Sequence, residues 1–170
     1  MIVRHHATEA ATSSAAYSEC ESYRYSLART WEANAPRLLY IMLNPSKATE
    51  AVNDPTIERC ERRARALGFG GFTACNLFAW RETDPQALRR AAEPVGPEND
   101  AALLEAAGQS QTILCAWGVH GVHLGRAADV GRSLREAGHT LHHLGLTRHG
   151  HPRHPLYVSY ATRPELWLAA

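Results

Sequence analysis

Asn44, Asn76, His151 and His154 are residues whose types and settings could do chemistry: Asn44 and Asn76 lie where apolar runs lead into polar sequence, and His151 and His154 flank prolines in a candidate site loop. A carboxamide presents a donor and an acceptor in one plane, so Asn76 could read the edge of a heterocycle. Phe78, Trp80 and Trp117 offer aromatic faces on which such a ring could stack. A histidine from the segment His151-Pro152-Arg153-His154-Pro155 could donate to negative charge developing on a leaving group. Ser46, Arg81 and Arg153 lie in the same polar segments and complete the candidate set. Together these are the parts needed to recognise a nucleobase and assist its departure. Each also has a plain structural reading. Asn44 could cap the loop before Pro45, Asn76 could satisfy neighbouring backbone groups, and the tryptophans could pack. No carboxylate pair suited to glycoside hydrolysis stands out, and GxSxG, P-loop and GxGxxG are absent.

The elements that must position these residues follow from short apolar runs. Leu38 to Leu43 is a run that ends in Asn44-Pro45-Ser46, which reads as a buried strand entering a loop. Thr73–Phe78, Thr112–Ala116 and Thr140–Leu144 repeat the design. Between them lie helices. Asp54-Pro55 predicts an N-cap and first helical position for a helix ending at Leu67, before Gly68. Its Arg59, Arg62, Arg63 and Arg65 alternate with Glu58 and Glu61, a solvated face from which one or two arginines could reach a phosphate. Asp84-Pro85 starts a short helix through Arg90, Ala101–Ala107 is helical with Asn99 or Asp100 as cap, and Gly125–Gly138 contains an amphipathic helix. Tyr23 to Arg29 alternates as a half-exposed strand does. The order predicts an α/β three-layer sandwich around a mostly parallel four-stranded sheet, plus an N-terminal strand. Residues 1–16, with no periodicity, are expected as a flexible arm, and 17–170 as one α/β domain. In such sheets ligands bind beyond the carboxyl ends of the strands, where these loops gather.

Composition sets outer bounds. The chain of 170 residues is 45% hydrophobic and 21% charged with net charge +1, ordinary for one globular domain and against a general polyanion binder. Cys20, Cys60, Cys75 and Cys115 are too far apart in sequence for a CxxC metal knuckle, so no metal or cofactor is expected. Neither a signal-type apolar segment nor a membrane-length run is seen, and the expected setting is the cytoplasm, away from membranes. The oligomeric state is not legible.

The segments YRYSLARTW, MLNPS, NDPTIERC, GFGGFTACNLFAWRETDP, VGPEND, AWG and GLTRHGHPRHPLY resemble a bacterial domain-of-unknown-function family built around LNPS and RHPLY. More distantly, the order is similar to the uracil-DNA glycosylase superfamily. Leu43-Asn44-Pro45 resembles its GxNPG motif, with Ser46 in place of the last glycine. Asn76 falls at its base-reading Asn, Ala116-Trp117-Gly118 at the end of its third strand, and His151-Pro152-Arg153-His154-Pro155-Leu156 at its late His-Pro-Ser-Pro-Leu motif. Tyr157 follows, where a DNA-wedging segment would lead. The resemblance implies a uracil-DNA-glycosylase-like fold that hydrolyses the N-glycosidic bond of a nucleobase, in DNA or in a smaller nucleoside. Asn44 would position the water and His154 or His151 would stabilise the leaving base. Asn76 would read the base, with Phe78 or Trp80 as a stacking surface. The alternatives are a non-catalytic module that binds a nucleotide or modified base, and a nucleotide-processing enzyme of unrelated chemistry.

Overall fold

The computed structural model describes residues 1–168. Its centre is the parallel set expected from the apolar runs: β4 (Arg37–Met42) lies between β5 (Gly71–Asn76) and β6 (Thr112–Cys115), and β7 (Leu141–His143) pairs in parallel with β6. The sheet is larger than the expected four strands. It has eight, in the order β1-β2-β3-β5-β4-β6-β7-β8, and it is mixed. β3 (Arg24–Thr30) joins β5 antiparallel, and β8 (Glu165–Leu166) joins β7 antiparallel.

The stretch expected as a flexible arm is instead an antiparallel hairpin, β1 (Ile2–Ala7) and β2 (Thr12–Tyr17), extending the sheet beyond β3. Its turn is closed by Thr8, whose N–H donates to the Ala11 carbonyl at 2.9 Å and whose Oγ1 accepts from the Ala11 N–H at 3.2 Å. β1 is exposed along its whole length. A strand held by its backbone ladder, with no buried face, leaves no alternation to read.

Side-chain alternation along β4 sorts the core into two layers. Leu38, Tyr40 and Met42 join one apolar cluster with Ile57, Cys60 and Ala64 of α1 (Pro55–Ala66). Leu39, Ile41 and Leu43 join the other. That second cluster takes Leu88 of α2 (Pro85–Arg90), Leu103 and Ala107 of α3 (Asn99–Gly108), and Val130 and Leu134 of α4 (Arg126–Glu136). Four α-helices among the described residues therefore cover both faces of the sheet.

Local signals were met closely for α1: Asp54 Oδ1 accepts from the Ile57 N–H at 2.8 Å, Pro55 opens the helix, and Leu67 caps it. α3 departs from expectation. Glu98 is its N-cap and makes no side-chain cap bond, while Asn99 is fully buried and directed at β5. Among the described residues no helix is long and apolar enough to cross a membrane.

Candidate functional site

The carboxyl ends of β4, β5 and β6 open onto a cavity of about 780 Å³. Met42 pairs with Asn76 and Ile41 with Cys115, so the three parallel strands run out at one level. Asn44, Ser46, Asn76, Trp117, Arg153 and His154 all line this cavity. The amino end of α1 closes one side through Asp54, Thr56 and Ile57.

The late segment is held over the cavity by backbone bonds from two directions. Gly118 donates its N–H to the Pro152 carbonyl at 2.8 Å, and Arg153 donates its N–H to the Gly145 carbonyl at 3.0 Å. Gly118 does so at φ +71°, a conformation that any side chain would strain. From α1, Arg59 Nη2 donates to the Val158 carbonyl at 2.7 Å, and Arg63 donates to the Val158 and Thr162 carbonyls at 2.9 Å each. Two of the four α1 arginines thus anchor the loop, whereas Arg62 and Arg65 form the expected solvated pairs with Glu58 and Glu61.

Asn44 is oriented by its amide nitrogen. Nδ2 donates to the Glu82 carbonyl at 2.6 Å and to the Pro45 carbonyl at 3.2 Å. Those two bonds fix the amide plane, and among the described residues Oδ1 has no partner.

Asn76 is the most informative group in the site. It ends β5, is 1% exposed, and neither Oδ1 nor Nδ2 has a hydrogen-bond partner among the described residues. Its side chain does not satisfy the surrounding backbone. Asn99 does that, donating from Nδ2 to the carbonyls of Asn76 at 3.0 Å and Leu77 at 3.1 Å. An unpaired buried amide costs about 1–3 kcal/mol, and native chains keep few of them. Held at the edge of a cavity, such an amide is preset for a ligand that supplies both partners.

His154 faces the same space. Its Nδ1 accepts from the Leu156 N–H at 3.3 Å, which puts the proton of the neutral ring on Nε2. Burial pushes its pKa below the ordinary 6.5, with the Asp54 carboxylate pulling weakly the other way. At neutral pH the ring is therefore an uncharged donor. Trp117 is a buried wall, edge-on to Trp167 with ring centroids 5.5 Å apart. Gly121 admits the indole, because a Cβ there would lie 2.3 Å from it.

Four expected site residues do not line the cavity: His151, Phe78, Trp80 and Arg81. His151 closes a turn through its backbone, which donates to Thr147 Oγ1 at 3.1 Å and accepts from the Thr147 N–H at 2.8 Å. Of the two candidate histidines, only His154 reaches the cavity. Phe78 is fully buried in the second core cluster, its ring 5.4 Å from that of His123. Beyond Phe78 the chain turns to β3 instead of crossing the cavity. Arg24 donates its N–H to the Ala79 carbonyl at 2.9 Å, and Arg81 donates its N–H to the Ser22 carbonyl at 3.0 Å. Trp80 accordingly packs on Tyr23 at 5.4 Å, and the Arg81 guanidinium lies over the Tyr17 ring at 5.2 Å.

Other lining residues carried weaker sequence signals. Tyr157 is 84% exposed at the cavity, its ring 6.4 Å from that of His154, and was legible only as a departure from the wedging segment that would follow His154-Pro155-Leu156. Asp54 was legible only as a helix cap. Arg24 gave no signal, since an arginine in an alternating strand reads as solvent-facing. No three His, Cys, Asp or Glu side chains gather into a metal-binding group among the described residues.

Comparison with known proteins adds a family. No curated protein and no solved structure matches the chain. A family model matches residues 24–156, a span from β3 to the late loop that contains every cavity-lining group discussed above except Tyr157 and Val158. By that match the chain belongs to the family described as a protein of unknown function, DUF1643.

Proposed function

We infer that the cavity binds a nucleobase and that the chain hydrolyses the N-glycosidic bond holding it. The observation that supports this most is the buried, wholly unpartnered carboxamide of Asn76, in one cavity with Asn44 and an uncharged His154. A nucleobase edge offers a neighbouring donor and acceptor that pair with such an amide in one plane. A volume of about 780 Å³ lies in the range of small-molecule sites and has room for a base with its sugar.

In this reading a water molecule donates to Asn44 Oδ1, which turns its lone pair toward the anomeric carbon. The carbon–nitrogen bond breaks, its electron pair passes to the base, and the water oxygen bonds to the sugar carbon. The water proton leaves to solvent, and the base regains a proton from solvent. His154 Nε2–H donates to a base oxygen as negative charge builds there, so it acts on the transition state more than on the bound substrate. Tyr157 supplies an aromatic face at the mouth. A base in duplex DNA would have to flip out to enter.

The test is a base-release screen. The protein is incubated with DNA containing uracil, hypoxanthine or alkylated bases, and with free nucleosides and nucleotides, and released base is measured by chromatography. Release from one substrate class, lost in Asn76 and His154 variants, is the expected result. No release from any of them rules out the hydrolytic reading.

A further inference from the structure

We propose that Arg24 makes this cavity a nucleotide site, its guanidinium taking the phosphate of the ligand whose base is read by Asn76. The proposal rests on the reading of the cavity as a nucleobase site and adds its substrate class. Arg24 opens β3, lines the cavity, and is 2% exposed. An arginine is seldom buried without a carboxylate, because removing the charge from water is costly unless an anion compensates it. Arg24 has no carboxylate within salt-bridge distance among the described residues; its pairing is one bond from Nη1 to the Ala48 carbonyl at 2.6 Å. Among the described residues Nε is buried without a partner, and Nη2 makes no hydrogen bond.

The surroundings do not neutralise it. The titratable groups that act on Arg24 include Tyr17, whose raised pKa keeps its phenol neutral at pH 7, then Asp54, Arg81 and Arg29, one carboxylate against two more guanidinium groups. Asp54 is engaged elsewhere, accepting from the Ile57 N–H at 2.8 Å and the Ala48 N–H at 3.3 Å. Burial lowers the Arg24 pKa to about 10, so the group stays charged at neutral pH. A charged fork with Nε and Nη2 free matches two oxygens of one phosphate side by side. Arg24 and Asn76 belong to β3 and β5, which pair with each other, and both line the cavity.

Equilibrium binding tests this without requiring turnover. Calorimetric titration of the intact chain compares the 5′-monophosphates of the common nucleosides, each with its own nucleoside, with inorganic phosphate and with a short single-stranded oligonucleotide. At least one monophosphate is expected to bind about tenfold or more tightly than its nucleoside. Arg24→Met is expected to abolish that difference while leaving nucleoside binding within about twofold. Arg24→Lys, which keeps the charge without the fork, is expected to retain part of it and covers the case in which Arg24→Met does not fold. A gain seen with the oligonucleotide but not the mononucleotides assigns the phosphate to a polynucleotide and still supports the Arg24 site. Equal binding of every monophosphate and its nucleoside, with no gain for the oligonucleotide, overturns the proposal, as does a phosphate preference that survives in Arg24→Met. A phosphate-dependent gain without any base release would instead count against hydrolysis alone.

Discussion

The Leu156 N–H donates to Nδ1 of His154 at 3.3 Å, two residues along the same tight turn, and so dictates which ring nitrogen carries the proton. Leu156 can make this contact because Pro155 opens the short helical turn Pro155–Tyr157, with His154 as its cap. Satisfying the turn through Nδ1 leaves Nε2–H free of the cap, available for the role proposed for it.

The protonation state of this ring gives the first expected outcome. Burial lowers the pKa of both His154 and His143 below 6.5. Between those native values and 6.5 the unfolded chain binds more protons than the native one. The corresponding stability is fully present above about pH 6.5 and is lost as pH falls through the native values. Urea unfolding midpoints should therefore drop on that acid side, and His154→Gln should flatten part of the drop. Turnover should fall over the same acid range, because a protonated ring breaks the Leu156 contact.

Asn76 should trade stability for function. Asn76→Leu removes two unpaired buried polar atoms while keeping similar volume, which should stabilise the protein by about 1–3 kcal/mol. The same change should abolish discrimination among bases, since it removes the group proposed to read the base edge. Thermal unfolding and binding titrations on one preparation check both halves. A destabilised Asn76→Leu would mean that the amide has partners the structure does not reveal.

Asn44 is expected to respond differently to its two natural replacements. Asn44→Asp places a carboxylate against the Glu82 and Pro45 carbonyls that now accept from Nδ2, and should cost about 1–3 kcal/mol of stability. Asn44→Ala removes the oxygen proposed to orient the water and should lower turnover more than substrate binding. Chemical denaturation and steady-state kinetics separate the two effects.

Arg63 and Arg59 should behave as positioning residues. Arg63→Met frees the carbonyls of Val158 and Thr162 from one donor each and should cost about 1–3 kcal/mol. Arg59→Ala removes the bonds to the Pro155 and Val158 carbonyls and loosens the same segment. In both, amide exchange at Leu156 and Val158 should quicken, and turnover should fall with the loop. Unchanged exchange would show that the bonds to Gly118 and Gly145 suffice to hold the segment.

Sequence reasoning located the strands that carry the site because each is an apolar run with a polar stop, and Asn44, Asn76 and Trp117 follow from those stops. It found the His-Pro loop but could not separate His151 from His154. That choice depends on a turn closed by Thr147, at a distance that periodicity does not encode. It placed Phe78, Trp80 and Arg81 over the cavity because they follow Asn76, whereas backbone pairing of Ala79 and Arg81 with the β3 end leads them away. β1 and β2 were missed because Ser, Thr, Ala and His carry no amphipathic signal. Arg24 was missed because a buried arginine and an exposed one look alike in a strand. Its meaning comes from an unfilled partner, which only three-dimensional packing reveals.

Single-turnover base release with Asn44→Ala, His154→Ala and His151→Ala, on whichever substrate the screen identifies, tests the central claim most directly. The first two variants should each release base about 10²–10³-fold more slowly than the unmodified chain, with substrate binding little changed and the fold intact. His151→Ala should keep near-normal turnover, because His151 does not line the cavity. Near-normal release by His154→Ala would contradict the account, whatever the rate of the other variants.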